Sequence, residues 1–476
     1  MVPPKDYPYY LANKPIVREE KMEVQDKFTN EVVARVSVSD AESVEQAIAA
    51  AVKAAPVIQK LSAFERKKIL KHCLMRFKEK EKLLVEILCV EVGKTIKDAQ
   101  SEVDRFLGTF EVSAEEATRQ YGEILPLDIS ERGLGYRGYW KRFPIGPCLF
   151  ITPFNFPLNL VAHKVAPAIA AGCPFILKPA LATPISAAIM GEVLSETDLP
   201  RGAFSILFCN NSLAQKMAED ERLKLLSFTG SAKVGWDLKS KAGKKQVILE
   251  LGGNAACIID ETADLDWAVE RLIFGGYYVA GQSCISVQRI LAHHTIYNSL
   301  REKLVSKLKA IKSGNPKESD VFLGPLINID AAKRVEAWIK EAVQKGATLL
   351  CGGERKGAIV TAALLENVPL SEKLNCEEAF GPVAILQPFK EFNEALKIAN
   401  DSRYGLQAGV FTRDLHRMNQ AFDELEVGGV TINEVPSFRS DNMPYGGIKE
   451  SGLGREGVRF AIDHLTEIKM LVVRDA

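Results

Sequence analysis

The chain is expected to fold as an α/β protein with two doubly wound parallel sheets and a small β arm. Three observations lead there. From residue 148 onward short apolar runs alternate with helical patterns, the arrangement in which parallel strands are buried beneath helices on both faces. The alternation restarts after Gly252-Gly253, which splits it into two units. At 476 residues the chain also exceeds what a single hydrophobic core organises.

Residues 41–60, 64–92 and 96–120 carry apolar side chains at helical spacing with few breakers, so a helical layer opens the protein. Residues 123–142 alternate and are rich in large side chains, among them Leu125, Leu127, Tyr136, Tyr139 and Trp140, which predicts an extended hairpin. The first unit then runs as strand 148–151, helix 159–171, strand 174–177, helix 185–195 and strands 204–208 and 225–228. In the second, strands at 255–259, 287–292, 347–351 and 383–388 alternate with helices at 265–275, 296–311, 330–344 and 392–400. The tail 467–473 is apolar and strand-like. Exposed edges of this kind tend to be paired, so 123–142 and the tail read as an arm that meets another subunit, or as strands within their own. The expected division is residues 1–122 and 143–251 as one domain, 252–452 as a second, and 123–142 with 453–476 as bridging segments.

The 61 basic and 61 acidic side chains balance, which leaves no general attraction to nucleic acid or anionic membrane and points to a small-molecule partner. The start, Met1-Val2-Pro3-Pro4-Lys5-Asp6-Tyr7, has no apolar export core. No run reaches the ~20 apolar residues of a membrane span. The nine cysteines show no C-x-x-C pair and the six histidines are scattered, so neither a disulfide framework nor a metal site is expected. Reduced thiols in a cytoplasmic protein fit this pattern best.

Cys284 stands in Gly281-Gln282-Ser283-Cys284-Ile285-Ser286, where small residues let the backbone approach a ligand closely. Most free cysteines are merely small buried apolar residues. Glu250, at the end of the apolar run before Gly252-Gly253, is displayed as a base at a strand end would be, and Asn155 lies upstream in Pro153-Phe154-Asn155-Phe156-Pro157.

Those stretches, with Leu177-Lys178-Pro179-Ala180, Phe228-Thr229-Gly230-Ser231, Glu378-Ala379-Phe380-Gly381-Pro382 and Met443-Pro444-Tyr445-Gly446-Gly447, stand in the order seen in the aldehyde dehydrogenase superfamily. The chain resembles that superfamily over nearly its whole length. Residues 153–164 and 435–447 are most similar to its lactaldehyde and semialdehyde dehydrogenase branch. The resemblance implies a Rossmann-like cofactor domain, a catalytic domain and a homodimer or homotetramer built through the β arm. It implies that an aldehyde is oxidised to its acid with NAD or NADP, through a hemithioacetal and then a thioester on Cys284. Asn155 and the Cys284 N–H would hold the oxyanion, and Glu250 would activate water. Outside that pattern Asn155 reads as a turn residue before Pro157 and Glu250 as a helix or strand terminus in contact with backbone N–H groups. A second reading passes the acyl group to coenzyme A, as in the methylmalonate-semialdehyde branch; that branch lacks the base found here as Glu250. A third, a catalytically idle relative, would have lost Cys284 or Asn155.

By the same resemblance Thr152, Pro153, Lys178, Gly230, Ser231, Glu378 and Phe380 bind the cofactor, with Gly230 and Ser231 opening a helix near the pyrophosphate. No G-x-G-x-x-G fingerprint is present. Many NAD-preferring members carry Glu three residues after the lysine. Here it is Leu181, which neither bonds a ribose hydroxyl nor repels a 2'-phosphate, so NADP is favoured. Phe156 and Arg439 are the expected substrate residues, with Leu160, His163, Phe438 and Arg105 as further candidates; an arginine can fork onto a carboxylate or phosphate.

Overall fold

The computed structural model describes residues 5–474. Residues 1–4, the beginning of the stretch read for an export signal, and 475–476 lie outside the described residues.

Both expected sheets are present. The first has eight strands in the order Gly452–Leu453, Gln246–Glu250, Leu225–Thr229, Cys148–Ile151, Phe175–Lys178, Phe204–Ile206, Tyr9–Leu11 and Lys14–Ile16. The run from Gln246–Glu250 to Phe204–Ile206 is parallel. Strands Cys148–Ile151, Phe175–Lys178 and Leu225–Thr229 are buried at every residue, as strands covered on both faces must be. Helix Asn159–Ala171 is likewise buried throughout and stops at Gly172, whose φ of 85° provides the left-handed cap.

The second sheet has seven strands, ordered Thr348–Cys351, Ala363–Glu366, Val383–Phe389, Val287–His293, Ala255–Ile259, Gln407–Phe411 and Gly429–Ile432. All its pairings are parallel except the outermost, where Thr348–Cys351 runs antiparallel to Ala363–Glu366. The chain passes from the first sheet to the second through residues 251–254. It returns when Gly452–Leu453 pairs antiparallel with Leu249 and Glu250.

The hairpin and tail join in a third sheet, in which Tyr136–Pro144 lies between Gly122–Pro126 and Thr466–Arg474, all antiparallel. Ile124, Ile468, Leu471 and Val472 are exposed on it.

Two expectations need correction. The helical layer is preceded by five short strands, Lys5–Tyr7, Tyr9–Leu11, Lys14–Ile16, Lys21–Gln25 and Val32–Ser37, each too brief to show a period. The helix expected over 64–92 is two, Ala63–Glu79 and Glu81–Glu91, separated at Lys80, whose φ of −97° and ψ of 6° leave helical geometry. One residue out of register barely disturbs the apolar spacing, so Phe77 and Leu84 still face the same core.

Candidate functional site

The strands of the first sheet end where those of the second begin, and the chemistry collects in that seam. Lys178 and Glu250 are last residues of parallel strands, and Thr152 and Gly230 immediately follow two others. Cys284 and Phe380 stand just ahead of second-sheet strands Val287–His293 and Val383–Phe389. Ligands of doubly wound sheets bind beyond the carboxyl ends of the strands. A cavity of about 290 Å³ occupies this place, lined by Pro153, Asn155, Gly230, Glu250, Cys284 and Phe380 among others.

The Cys284 thiol is half-buried and lies 3.2 Å from the Tyr445 hydroxyl. Burial pushes it up to about 12, against the pull of the Tyr445 hydrogen bond. Asn155 is buried; one hydrogen of its Nδ2 is donated to the Gln282 carbonyl at 3.0 Å, which ties the amide to the Cys284 loop and leaves the second hydrogen available. Glu250 is buried with neither carboxylate oxygen hydrogen-bonded within the protein. Burial, reinforced by Glu456, pushes its carboxyl well above the usual carboxylate range, against Arg439, Lys164 and Arg455.

Behind Glu250 lies a charged cluster. Lys164 Nζ donates to Glu456 and to Ser227 Oγ, both at 2.7 Å, and Arg439 Nη2 reaches Glu456 at 3.2 Å while its guanidinium lies 3.8 Å from the centre of the Tyr445 ring. Burial would raise the Glu456 carboxyl, but Lys164 and Arg439 overcome it and hold it down near about 2. Glu456 therefore stays charged while Glu250 beside it resists ionisation. Sequence reasoning singled out neither Lys164, Glu456 nor Tyr445. A lysine just ahead of the wholly apolar stretch 165–171 was the available signal, because a buried lysine demands a partner.

The cofactor-side residues form a cradle with open polar atoms. The hydroxyls of Thr152 and Thr229 are buried without partners. Lys178 is buried, which lowers its pKa, and it has only a long 3.5 Å bond to Asn211. Helix Ala232–Lys241 begins at Ser231, whose side chain makes no capping bond, leaving the N-terminal amides for an anion. Glu378 accepts from the Gly253 N–H at 3.0 Å and is pushed up to about 7 by burial. A Cβ at Gly252 would stand 2.6 Å from its carboxylate, so any larger residue there would push the Glu378 side chain aside. Phe380 takes a φ of 44° and sets its ring edge-on to Phe154 at 5.8 Å. These unpaired donors around a glycine-lined recess fit a nicotinamide dinucleotide. Leu181 is half-buried and packs on the apolar core.

On the far side of the Asn155 loop is a second cavity of about 340 Å³, bounded by Phe156, Tyr278, Arg105, Arg271, Phe438 and Arg439 among others. Arg439 stands outside any helix or strand, yet its side chain is only 4% exposed. Its Nε has no partner. Arg105 is salt-bridged to Asp441 at 2.8 Å. His163 is buried against that same Asp441 carboxylate, also at 2.8 Å, and burial together with Arg439 lowers it to about 4. His163 is absent from both cavity walls, whereas Leu160 lines the Cys284 cavity and Phe438 the second.

Fold and cavities together define a class, the nicotinamide-dependent oxidoreductases that hold their substrate on a cysteine. Comparison with known proteins narrows it. The profile of the aldehyde dehydrogenase family matches residues 16–471, and the chain belongs to that family. It is 39% identical over 470 residues to the 3-sulfolactaldehyde dehydrogenase of Priestia aryabhattai, covering 98% of each chain. Among solved structures, aldehyde dehydrogenase 21 of Physcomitrella patens, in complex with its reaction product succinate, is 49% identical with a TM-score of 0.98, over 100% of this chain and 99% of the other. Glyceraldehyde-3-phosphate dehydrogenase of Methanocaldococcus jannaschii, complexed with NADP, is 37% identical with a TM-score of 0.92, over 96% and 100%. The protein is thus an aldehyde dehydrogenase using NAD or NADP and the covalent cysteine chemistry general to the family. The structure has no helix, among the described residues, long and apolar enough to cross a membrane.

Proposed function

We propose that the protein oxidises short aldehydes bearing an anionic group at the far end, with Cys284 as nucleophile. The observation that carries the substrate class is the buried Arg439 guanidinium beside the second cavity, whose Nε lacks a partner. A buried donor left unpaired costs free energy until a ligand satisfies it. Phe156 and Tyr278, their rings 6.3 Å apart, would flank the carbon chain. The succinate held by the Physcomitrella patens enzyme and the sulfonated aldehyde named for the Priestia aryabhattai relative support the same class.

Cys284 as thiolate adds to the carbonyl carbon, and the oxygen takes the displaced electron pair. The free hydrogen of Asn155 Nδ2 and the Cys284 N–H hold that oxyanion. Bound NAD(P) supplies the hydride acceptor that turns the resulting hemithioacetal into a thioester. Lys178, Ser231, Glu378 and Phe380 hold the cofactor, with Thr152, Pro153 and Gly230 shaping its recess. Glu250 takes a proton from water, the hydroxide adds to the thioester, and the C–S bond breaks to release the acid and restore the thiolate.

Leu181 supports acceptance of NADP, since no carboxylate stands there to repel a 2'-phosphate. The first sheet, apart from its edge strand Gly452–Leu453, belongs to the cofactor domain, over residues 1–122 and 143–251, and the second sheet to the catalytic domain, over 252–452. The exposed apolar strand Thr466–Arg474 supports a homodimer or homotetramer joined through the third sheet. Nine free thiols support a cytoplasmic setting.

The test is NAD(P)H formation across aldehydes of matched length, with and without a terminal carboxylate or sulfonate, using both cofactors. A charge-assisted hydrogen bond of about 1.5–3 kcal/mol predicts kcat/KM about 10–100-fold higher for the anionic members. Equal values for charged and uncharged aldehydes would overturn the substrate class.

A further inference from the structure

The residues ahead of the nucleophile are in an unusual conformation. Val279, Ala280 and Gly281 take φ values of 51°, 53° and 69°, three left-handed residues in succession. For a β-branched valine this is a true outlier that its surroundings must enforce. Gly281 packs so closely that a Cβ would stand 2.1 Å from the Gly381 carbonyl. The Val279 N–H is held from outside the turn, by Asp98 Oδ2 at 3.1 Å.

Asp98 lies in the first turn of helix Ile96–Glu116, which Thr95 caps. One turn further, Glu102 accepts from the N–H groups of Leu158 at 2.9 Å and Asn159 at 3.1 Å, and from Lys94 Nζ at 2.5 Å. Lys94 in turn sits 3.6 Å over the Phe156 ring. One face of one helix therefore holds both loops of the site: Glu102 the loop carrying Asn155, Asp98 the turn leading to Cys284. The two loops meet in the bond from Asn155 to the Gln282 carbonyl.

We propose that Asp98 is a positioning residue, whose carboxylate oxygen holds the left-handed turn and thereby fixes the placement of Cys284 against Asn155. It acts by hydrogen-bond geometry and not by its charge. The inference rests on Cys284 as nucleophile, so Cys284→Ala is measured alongside; turnover by that variant would refute the nucleophile assignment separately.

The experiment compares Asp98→Asn, Asp98→Glu and Asp98→Ala in the full chain, reading kcat, KM and the rate at which iodoacetamide labels Cys284. An Asn side-chain oxygen can still accept from Val279, whereas Glu keeps the charge but displaces the oxygen. Because misplacement by about 1 Å costs about 100-fold, Asp98→Ala and Asp98→Glu should lose about that in kcat with altered Cys284 labelling, while KM for aldehyde and the kcat of Asp98→Asn stay within about threefold of wild type. Should Asp98→Ala fail to fold, the Glu and Asn pair decides the matter. Loss in Asp98→Asn equal to that in Asp98→Glu, full activity of Asp98→Glu, or an effect confined to KM would overturn the proposal.

Discussion

Replacing Tyr445 by Phe removes one atom and tests how the Cys284 thiol is made reactive. A thiolate can only accept, so the Tyr445 hydroxyl, 3.2 Å away, must donate to it. Burial raises the Tyr445 hydroxyl's own pKa, so it keeps its proton. A hydrogen bond to a charged group is worth about 1.5–3 kcal/mol, and a pKa unit about 1.4 kcal/mol, so its loss lifts the thiol by about 1–2 units. Since the thiol already stands at about 12, the thiolate fraction at pH 8 falls about 10–100-fold. The ring remains beneath the Arg439 guanidinium, so packing is preserved. The assay is iodoacetamide labelling of Cys284 against pH without cofactor, in a Cys376→Ser background, because Cys376 is the other accessible thiol and the remaining seven are buried. Wild-type labelling should climb with pH without a plateau below about pH 11, with Tyr445→Phe running parallel and about 10–100-fold slower. An unchanged rate in the variant, or a wild-type plateau near neutral pH, would refute the reasoning.

Gly252→Ala places a Cβ against the Glu378 carboxylate; cofactor affinity by fluorescence titration should fall about tenfold with little change in melting temperature, as a difference of about 1.4 kcal/mol at one contact implies. Leu181→Glu should move the NAD to NADP preference about tenfold towards NAD, by adding a bond to the 2'-hydroxyl and repulsion of a 2'-phosphate; an unmoved ratio would show that another group decides it. Glu250→Gln should keep the first burst of NAD(P)H and lose later turnovers in stopped flow. Burial raises the Glu250 carboxyl and the base must be ionised to act, so wild-type steady-state turnover should rise with pH above the usual carboxylate range. That limb should vanish in Glu250→Gln.

Much of the fold was legible because both sheets are built from strands buried on two faces. Such strands read as short apolar runs, and helices Asn159–Ala171, Ile185–Ser195 and Phe392–Asn400 stand at the expected residues. What escaped was short or local: the N-terminal strands, the second-sheet strands Ala363–Glu366, Gln407–Phe411 and Gly429–Ile432, and the single non-helical residue at Lys80. Within the site, Cys284 and Glu250 were legible through glycine neighbours and a strand end, and Asn155 through the family resemblance of residues 153–157; the structure brings all three to one cavity. Tyr445, Glu456 and Asp98 were not, because each acts across more than 150 residues of sequence, on Cys284, Lys164 and Val279 respectively. Arg439 was legible as a charge but not as a buried one, since its burial depends on Glu456 and Tyr445 closing over it.

The central claim is that the aldehyde carbon becomes covalently attached to Cys284 and is released by water that Glu250 activates. The most direct measurement is peptide-mapped mass spectrometry of Glu250→Gln, quenched after mixing with an anionic semialdehyde and NADP. The account predicts that the corresponding acyl group is found on the peptide containing Cys284, at close to one per chain, and is absent when Cys284 is also replaced by Ala. An acyl group on another residue, or continued turnover without Cys284, would contradict it.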